Sequence, residues 1–263
     1  MTRSPSALRR LPLSGLALLL AAGVATAQPA QPAATTKPAA AAAEIDPAAT
    51  QALQRMRAFM SGMNTFQVKT DGSRELVLDD GQKVQLVGGA DYTVRRPNGF
   101  EIKTAMGDKV RTYVYDGQKM TVYAPQLGYY AQAAAPPTIQ QTLDEAYDKY
   151  GISFPLEDLF KWAERDDSTK APITSAMVVG DATIDGTPTT QYAFRQGPVD
   201  WQVWIQKGAE PLPRKIVIVD RTDEARPAYS ATLAWTVNPT LPADAFVFQP
   251  GKDAKRIQIA AAQ

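Results

Sequence analysis

The sequence predicts a mainly β, α+β fold in which one large curved antiparallel sheet wraps partly around an N-terminal helix and a central helical insert. Three observations carry this. Short runs rich in β-branched and aromatic residues alternate with period two from Thr65 onward, and Asx-Gly dipeptides punctuate them. A three-and-four-residue apolar stripe precedes the first run, and a second helical pattern bounded by prolines splits the strands into two groups.

The first 27 residues read as a secretory signal. Arg3, Arg9 and Arg10 supply the basic start, Leu11–Val24 the short apolar run, and Ala25-Thr26-Ala27 the small-x-small cleavage pattern. The apolar run is shorter than the roughly 18 to 20 residues of a membrane-spanning helix. A lipoprotein signal requires a cysteine at the cleavage point, and the chain has none. The expected product is therefore a soluble periplasmic protein that neither spans the membrane nor carries an acyl anchor. Cleavage would remove three of the 28 basic residues and none of the 27 acidic ones, for a net charge of about −2. Such a balance, with signs interspersed, gives no basic footprint for nucleic acid.

Residues 28–44 read as a linker, since 11 of the 16 residues of Gln28–Ala43 are Ala or Pro. The folded domain is expected over 45–250 and a C-terminal tail over 251–263. Asp46-Pro47 marks a helix start, an N-cap followed by proline where its missing N–H costs nothing. Ala49, Leu53, Met56, Met60 and Met63 then form one stripe ending near Gly62.

Turns are predicted at Asp71-Gly72, Asp80-Gly81, Gly88-Gly89, Asn98-Gly99 and Asp116-Gly117, with strands over Phe66–Thr70, Arg74–Leu78, Lys83–Val87, Tyr92–Arg95, Phe100–Thr104, Val110–Tyr115 and Met120–Tyr123. Pro136-Pro137 ends this meander, and Thr138 caps a helix through Tyr150 with Ile139, Leu143 and Tyr147 (or Ala146) on one side. Phe154-Pro155 opens a second short helix, with Leu156, Leu159, Phe160 and Trp162 as its apolar side. Strands resume at Ala176–Val179, Thr190–Arg195, Asp200–Gln206, Arg214–Asp220, Tyr229–Val237 and Phe246–Phe248, with turns at Asp185-Gly186 and Gly197-Pro198. In Tyr229, Ala231, Leu233, Trp235 and Val237 the odd positions are apolar, so one face of that strand is buried. Alternation places Trp204 on the outer face.

The ending Leu241-Pro242-Ala243-Asp244-Ala245-Phe246-Val247-Phe248-Gln249-Pro250, together with Leu212-Pro213-Arg214-Lys215-Ile216-Val217-Ile218, resembles the predicted periplasmic proteins called domain of unknown function 2092 over roughly Ile45 to Pro250. That family in turn looks like the LolA/LolB lipoprotein-carrier superfamily. The resemblance implies an unclosed β-barrel with helices over its mouth and an apolar cavity between them, but carries no functional residue across.

With no His and no Cys, the chain cannot build a Ser-His-Asp triad, a cysteine nucleophile, a His-ligated zinc or a His-ligated haem. Carboxylate pairs remain at Asp79-Asp80, Asp144-Glu145, Glu157-Asp158 and Asp166-Asp167. Neighbours on a strand or helix diverge, so these read as turns, loops and solvated faces. Neither a calcium loop nor a phosphate-binding glycine motif is present. No enzyme, cofactor or metal is expected. The leading expectation is a carrier or binding protein for a lipid, an acyl chain or another hydrophobic small molecule. Its cavity residues would be Tyr113, Tyr115, Leu143, Tyr147, Leu159, Trp162, Trp201, Val203, Leu233 and Trp235. The alternative is an envelope regulatory or interaction protein of the same fold, meeting a protein partner. A carboxylate-dependent enzyme ranks last.

Overall fold

The computed structural model describes residues 44–154, 156–157 and 171–259. The expected signal, most of the linker and most of the second short helix, with Leu159 and Trp162, lie outside the described residues.

Helix α1 spans Pro47–Ser61. Asp46 caps it by accepting the Ala48 N–H at 2.8 Å, and Gly62 closes it. Ala49, Leu53, Met56 and Met60 are buried as the stripe requires, and Met63 is buried just past the cap. Helix α2 spans Ile139–Tyr150, capped by Thr138 and closed by Gly151 in the left-handed conformation that glycine adopts without penalty.

Twelve strands form one sheet: β1 Thr65–Val77, β2 Lys83–Arg95, β3 Gly99–Met106, β4 Lys109–Tyr115, β5 Lys119–Ala124, β6 Tyr129–Ala134, β7 Ile173–Ile184, β8 Thr187–Gln196, β9 Val199–Gln206, β10 Pro213–Asp220, β11 Ala228–Val237 and β12 Lys255–Ile257. Their order is β12-β6-β5-β4-β3-β2-β1-β11-β10-β9-β8-β7. Two meanders are thus joined by one antiparallel pairing, β1 with β11, and the outermost strands do not meet. All pairs are antiparallel except β12 with β6. The fold is mainly β, an unclosed sheet with two helices.

Cross-strand register sorts the faces. One row runs Ala133, Met120, Tyr115, Phe100, Val94, Phe66 and Val237; the next runs Ala131, Val122, Tyr113, Ile102, Tyr92, Val68 and Trp235. These residues share the concave face, and its buried members form a single apolar core with the buried faces of α1 and α2. Lys69, Asp91 and Lys103 line up on the opposite, convex face.

Four local expectations are corrected. Asp71-Gly72 and Gly88-Gly89 do not turn; they lie inside β1 and β2, with Gly72 opposite Gly88 and Asp71 opposite Gly89. A Cβ on Gly72, Gly88 or Gly89 would sit 2.1 to 2.2 Å from a carbonyl oxygen of Ser230, Ala105 or Thr70. Glycine here serves close backbone approach rather than a reversal. Phe246–Phe248 is not a strand: residues 243–246 form a turn. Its rings pack on the convex face, Phe246 over Gly99 and Arg95, and Phe248 5.5 and 5.3 Å from Tyr123 and Tyr130. This segment crosses from β2 to β6, and the expected tail then supplies β12 at the β6 edge. Strand β6, unmarked by any turn dipeptide, was not expected. The Asp79-Asp80 pair sits in the β1–β2 turn, where Asp80 accepts the Gln82 N–H.

Candidate functional site

The core fills most of the concavity, but not its end. Helix α2 is pinned over the first meander because the Pro136 carbonyl accepts from the Tyr115 hydroxyl at 2.5 Å and from Thr142 Oγ1 at 3.2 Å. The Ile139 N–H reaches the Pro97 carbonyl at 2.9 Å. Past Gly151 the chain turns back into the sheet, and Phe154 stands edge-on to Tyr113 at 4.7 Å and to Phe100 at 6.2 Å. Leu156 follows with φ of 60°, a costly conformation for a branched side chain, and is buried.

Beside Phe154 and Leu156 lies a cavity of about 520 Å³. Met106, Val199, Ile218, Pro227, Ala228 and Tyr229 complete its apolar wall, and Arg74, Glu75, Ser153, Asp220 and Thr222 are the polar residues at its border. Its volume falls within the range of small-molecule sites, roughly 300 to 1,000 Å³. Burial pushes the Tyr229 phenol up to about 12, so it stays protonated at neutral pH. The Tyr92 phenol is raised further, first by burial and then by the nearby Tyr229 and Glu157. Glu75 is held below the usual carboxylate range by the Lys83 ammonium and the Ala228 N–H, and Asp220 by Thr222.

The expected cavity residues fall elsewhere. Leu143, Val203 and Leu233 are packed in the core. Tyr115 spends its hydroxyl on Pro136. Trp235 donates Nε1–H to the Pro213 carbonyl at 2.8 Å and lies 5.7 Å from Phe66. Tyr113 packs against the core beneath Phe154. Trp201 stacks on Phe194 at 4.3 Å and borders a second, more polar hollow of about 780 Å³ with Asp46, Arg195 and Asp200. None of these lines the 520 Å³ cavity, which lies beyond them toward the strand ends.

Tyr147 is a correction: it is 60% exposed, and Ala146 takes the inward position. At 100° per residue, Thr142, Ile139, Leu143 and Ala146 centre a stripe that leaves Tyr147 about 90° away. The bond from Thr142 to Pro136 fixes that rotation. Trp204 does face outward, opposite Lys215, whose ammonium sits 5.1 Å from its ring centroid. Of the wall residues that sequence reasoning passed over, Ile218 and Tyr229 stand on expected strands, and Val199 opens β9 one residue before the expected Asp200 start. Only their place at the strand ends distinguishes them.

Among the described residues no three Asp or Glu side chains converge as metal ligands, and no helix is long and apolar enough to cross a membrane.

Fold and site together define an unclosed β-barrel protein with an apolar cavity at the end of its concave face. The chain belongs to the family of predicted periplasmic proteins designated DUF2092, whose model matches residues 49–260. No curated protein matches it. Among solved structures it is similar to the Mycobacterium tuberculosis lipoprotein LppX, at 15% identity and TM-score 0.48, over 76% of this chain and 100% of that one. It is also similar to a LolA superfamily protein from Nitrosomonas europaea, at 10% identity and TM-score 0.36, over 76% and 97% of the two chains. A third is the Pseudomonas aeruginosa MucA/MucB complex, at 14% identity and TM-score 0.40, over 80% and 63%.

Proposed function

We propose that this protein is a soluble periplasmic carrier that binds a single apolar chain, of a lipid or an acylated peptide, in the cavity beside Phe154 and Leu156. The observation that supports this is the 520 Å³ space whose wall, from Met106 to Tyr229, is mostly apolar and continues the concave face. No catalytic step is required. Burial of hydrocarbon drives binding at about 0.8 kcal/mol per methylene, so two added methylenes tighten it about tenfold until the cavity is full.

The test is titration of the delipidated protein with dansyl-labelled acyl chains of increasing length. Ile218→Asp and Val199→Asp weaken binding at least tenfold, whereas Trp204→Asp on the outer face leaves it unchanged. Absence of binding below the probe's micelle threshold, or equal effects of all three substitutions, would overturn the reading. A stoichiometric protein partner in native mass spectrometry, with no co-purifying lipid, would favour the regulatory alternative. The same spectra test export: the mature chain begins at Gln28 and carries no acyl group.

A further inference from the structure

The cavity has a polar border, and its charges are not equivalent. In register, Trp201 of β9, Ile218 of β10, Tyr229 of β11, Arg74 of β1 and Leu86 of β2 form one continuous row across the concave face. Arg74 is the one charged residue in that row. Directly beside it stands the Tyr229 phenol, and both line the cavity.

The two carboxylates at the same border are already engaged. Glu75 Oε2 accepts from Lys83 Nζ at 3.1 Å and from the Ala228 N–H at 3.0 Å. Asp220 Oδ1 accepts from the Thr222 N–H at 2.8 Å and from its hydroxyl at 2.6 Å. The Arg74 guanidinium, by contrast, makes no hydrogen bond or ion pair among the described residues. A planar five-donor cation at the lip of an apolar cavity, with a phenol at its side, matches one chemistry. It suits a carboxylate or phosphate carried on a hydrocarbon chain, which it grips bidentately while the chain fills the space behind.

We propose that Arg74 selects the ligand's headgroup, so that the cavity takes anionic single-chain amphiphiles in preference to uncharged or cationic ones of equal length. This rests on the cavity reading above and adds the class of its occupant. The Arg74 fork reads the anion, Tyr229 supplies a neutral hydrogen-bonding partner, and Ile218 with Phe154 meets the chain.

The experiment measures affinities of the full protein for hexadecanoate, hexadecyl phosphate, hexadecanol and hexadecyltrimethylammonium, below their micelle thresholds, for the wild type and for Arg74→Gln. The wild type binds at least one of the two anions about tenfold or more tightly than hexadecanol. Arg74→Gln removes that preference by weakening the anions far more than hexadecanol, and an unchanged circular dichroism spectrum shows that the variant is folded. Whichever of the two anions binds more tightly identifies a fatty-acid or a phospholipid-type headgroup. Hexadecanol binding as tightly as both anions, tightest binding of the cationic chain, or an anion preference that survives Arg74→Gln would each overturn this proposal while the cavity reading stands. If none of the four binds, the cavity reading itself fails and this inference with it.

Discussion

Replacing Gly99 by alanine tests whether the C-terminal segment is an integral layer of the sheet. Gly99 opens β3 opposite Arg95, and a Cβ built there would lie 2.6 Å from Phe246 Cδ2 and 2.7 Å from Cε2. The Phe246 ring is only 2% exposed, with the Arg95 guanidinium 4.9 Å from its centroid, so it has little room to yield. Gly99 is not in the left-handed region, and alanine carries no backbone penalty there. The whole cost of Gly99→Ala is therefore overpacking, about 1–3 kcal/mol. Phe246→Ala removes a buried ring and costs about 3–5 kcal/mol. In the Phe246→Ala background the added methyl enters the vacated space and its penalty vanishes, a coupling of about 1–3 kcal/mol. Urea denaturation of the four proteins measures it, and for a chain of this size each kcal/mol moves the thermal midpoint by about 2–4 °C. Equal costs of Gly99→Ala with and without the Phe246 ring would refute the reasoning.

Tyr115→Phe and Thr142→Val each leave the Pro136 carbonyl one donor, so each costs about 1 kcal/mol. The double variant strands that acceptor, and its measured cost in chemical denaturation exceeds the sum of the two. Alkaline pH acts through the buried phenols. The Tyr229 pKa is raised from its ordinary value of 10 to about 12, so between those values the unfolded chain loses a proton that the folded one keeps. Stability is therefore full below pH 10 and falls as pH rises, by up to about 1.4 kcal/mol per pH unit for this group. Tyr229→Phe makes the fall shallower, and stability measured at intervals from pH 8 to 11.5 detects the change.

Helix α1 was legible because Asp46-Pro47 and the spacing of Leu53, Met56 and Met60 allow little else. The turns at Asp80-Gly81, Asp116-Gly117 and Asp185-Gly186 were legible because their glycines take the positive φ that the dipeptide signals. Gly72, Gly88 and Gly89 carry the same signal for another reason. What they share with a turn glycine is the missing Cβ, and sequence does not tell a reversal from a close passage of two strands. Phe246 and Phe248 misled in a similar way, since alternation suits a chain laid on a sheet as well as a strand within it. The core face of α2 was legible to within one residue, and choosing between Ala146 and Tyr147 needed the Thr142 bond to Pro136. The cavity was not legible at residue level. Its wall is set by where Phe154 and Leu156 re-enter after Gly151, and by how far β9, β10 and β11 extend past the packed core.

The single seam between β1 and β11 has a kinetic consequence. Within each meander, pairing joins neighbours in the chain, whereas Phe66 must find Val237 across about 170 residues. Closing so long a loop costs about 2–3 kcal/mol more in chain entropy than closing a ten-residue hairpin. The two meanders can therefore take shape as separate units before the seam closes. As the chain is synthesised N-terminus first, β1 waits with one edge bare until the final quarter of the polypeptide has arrived.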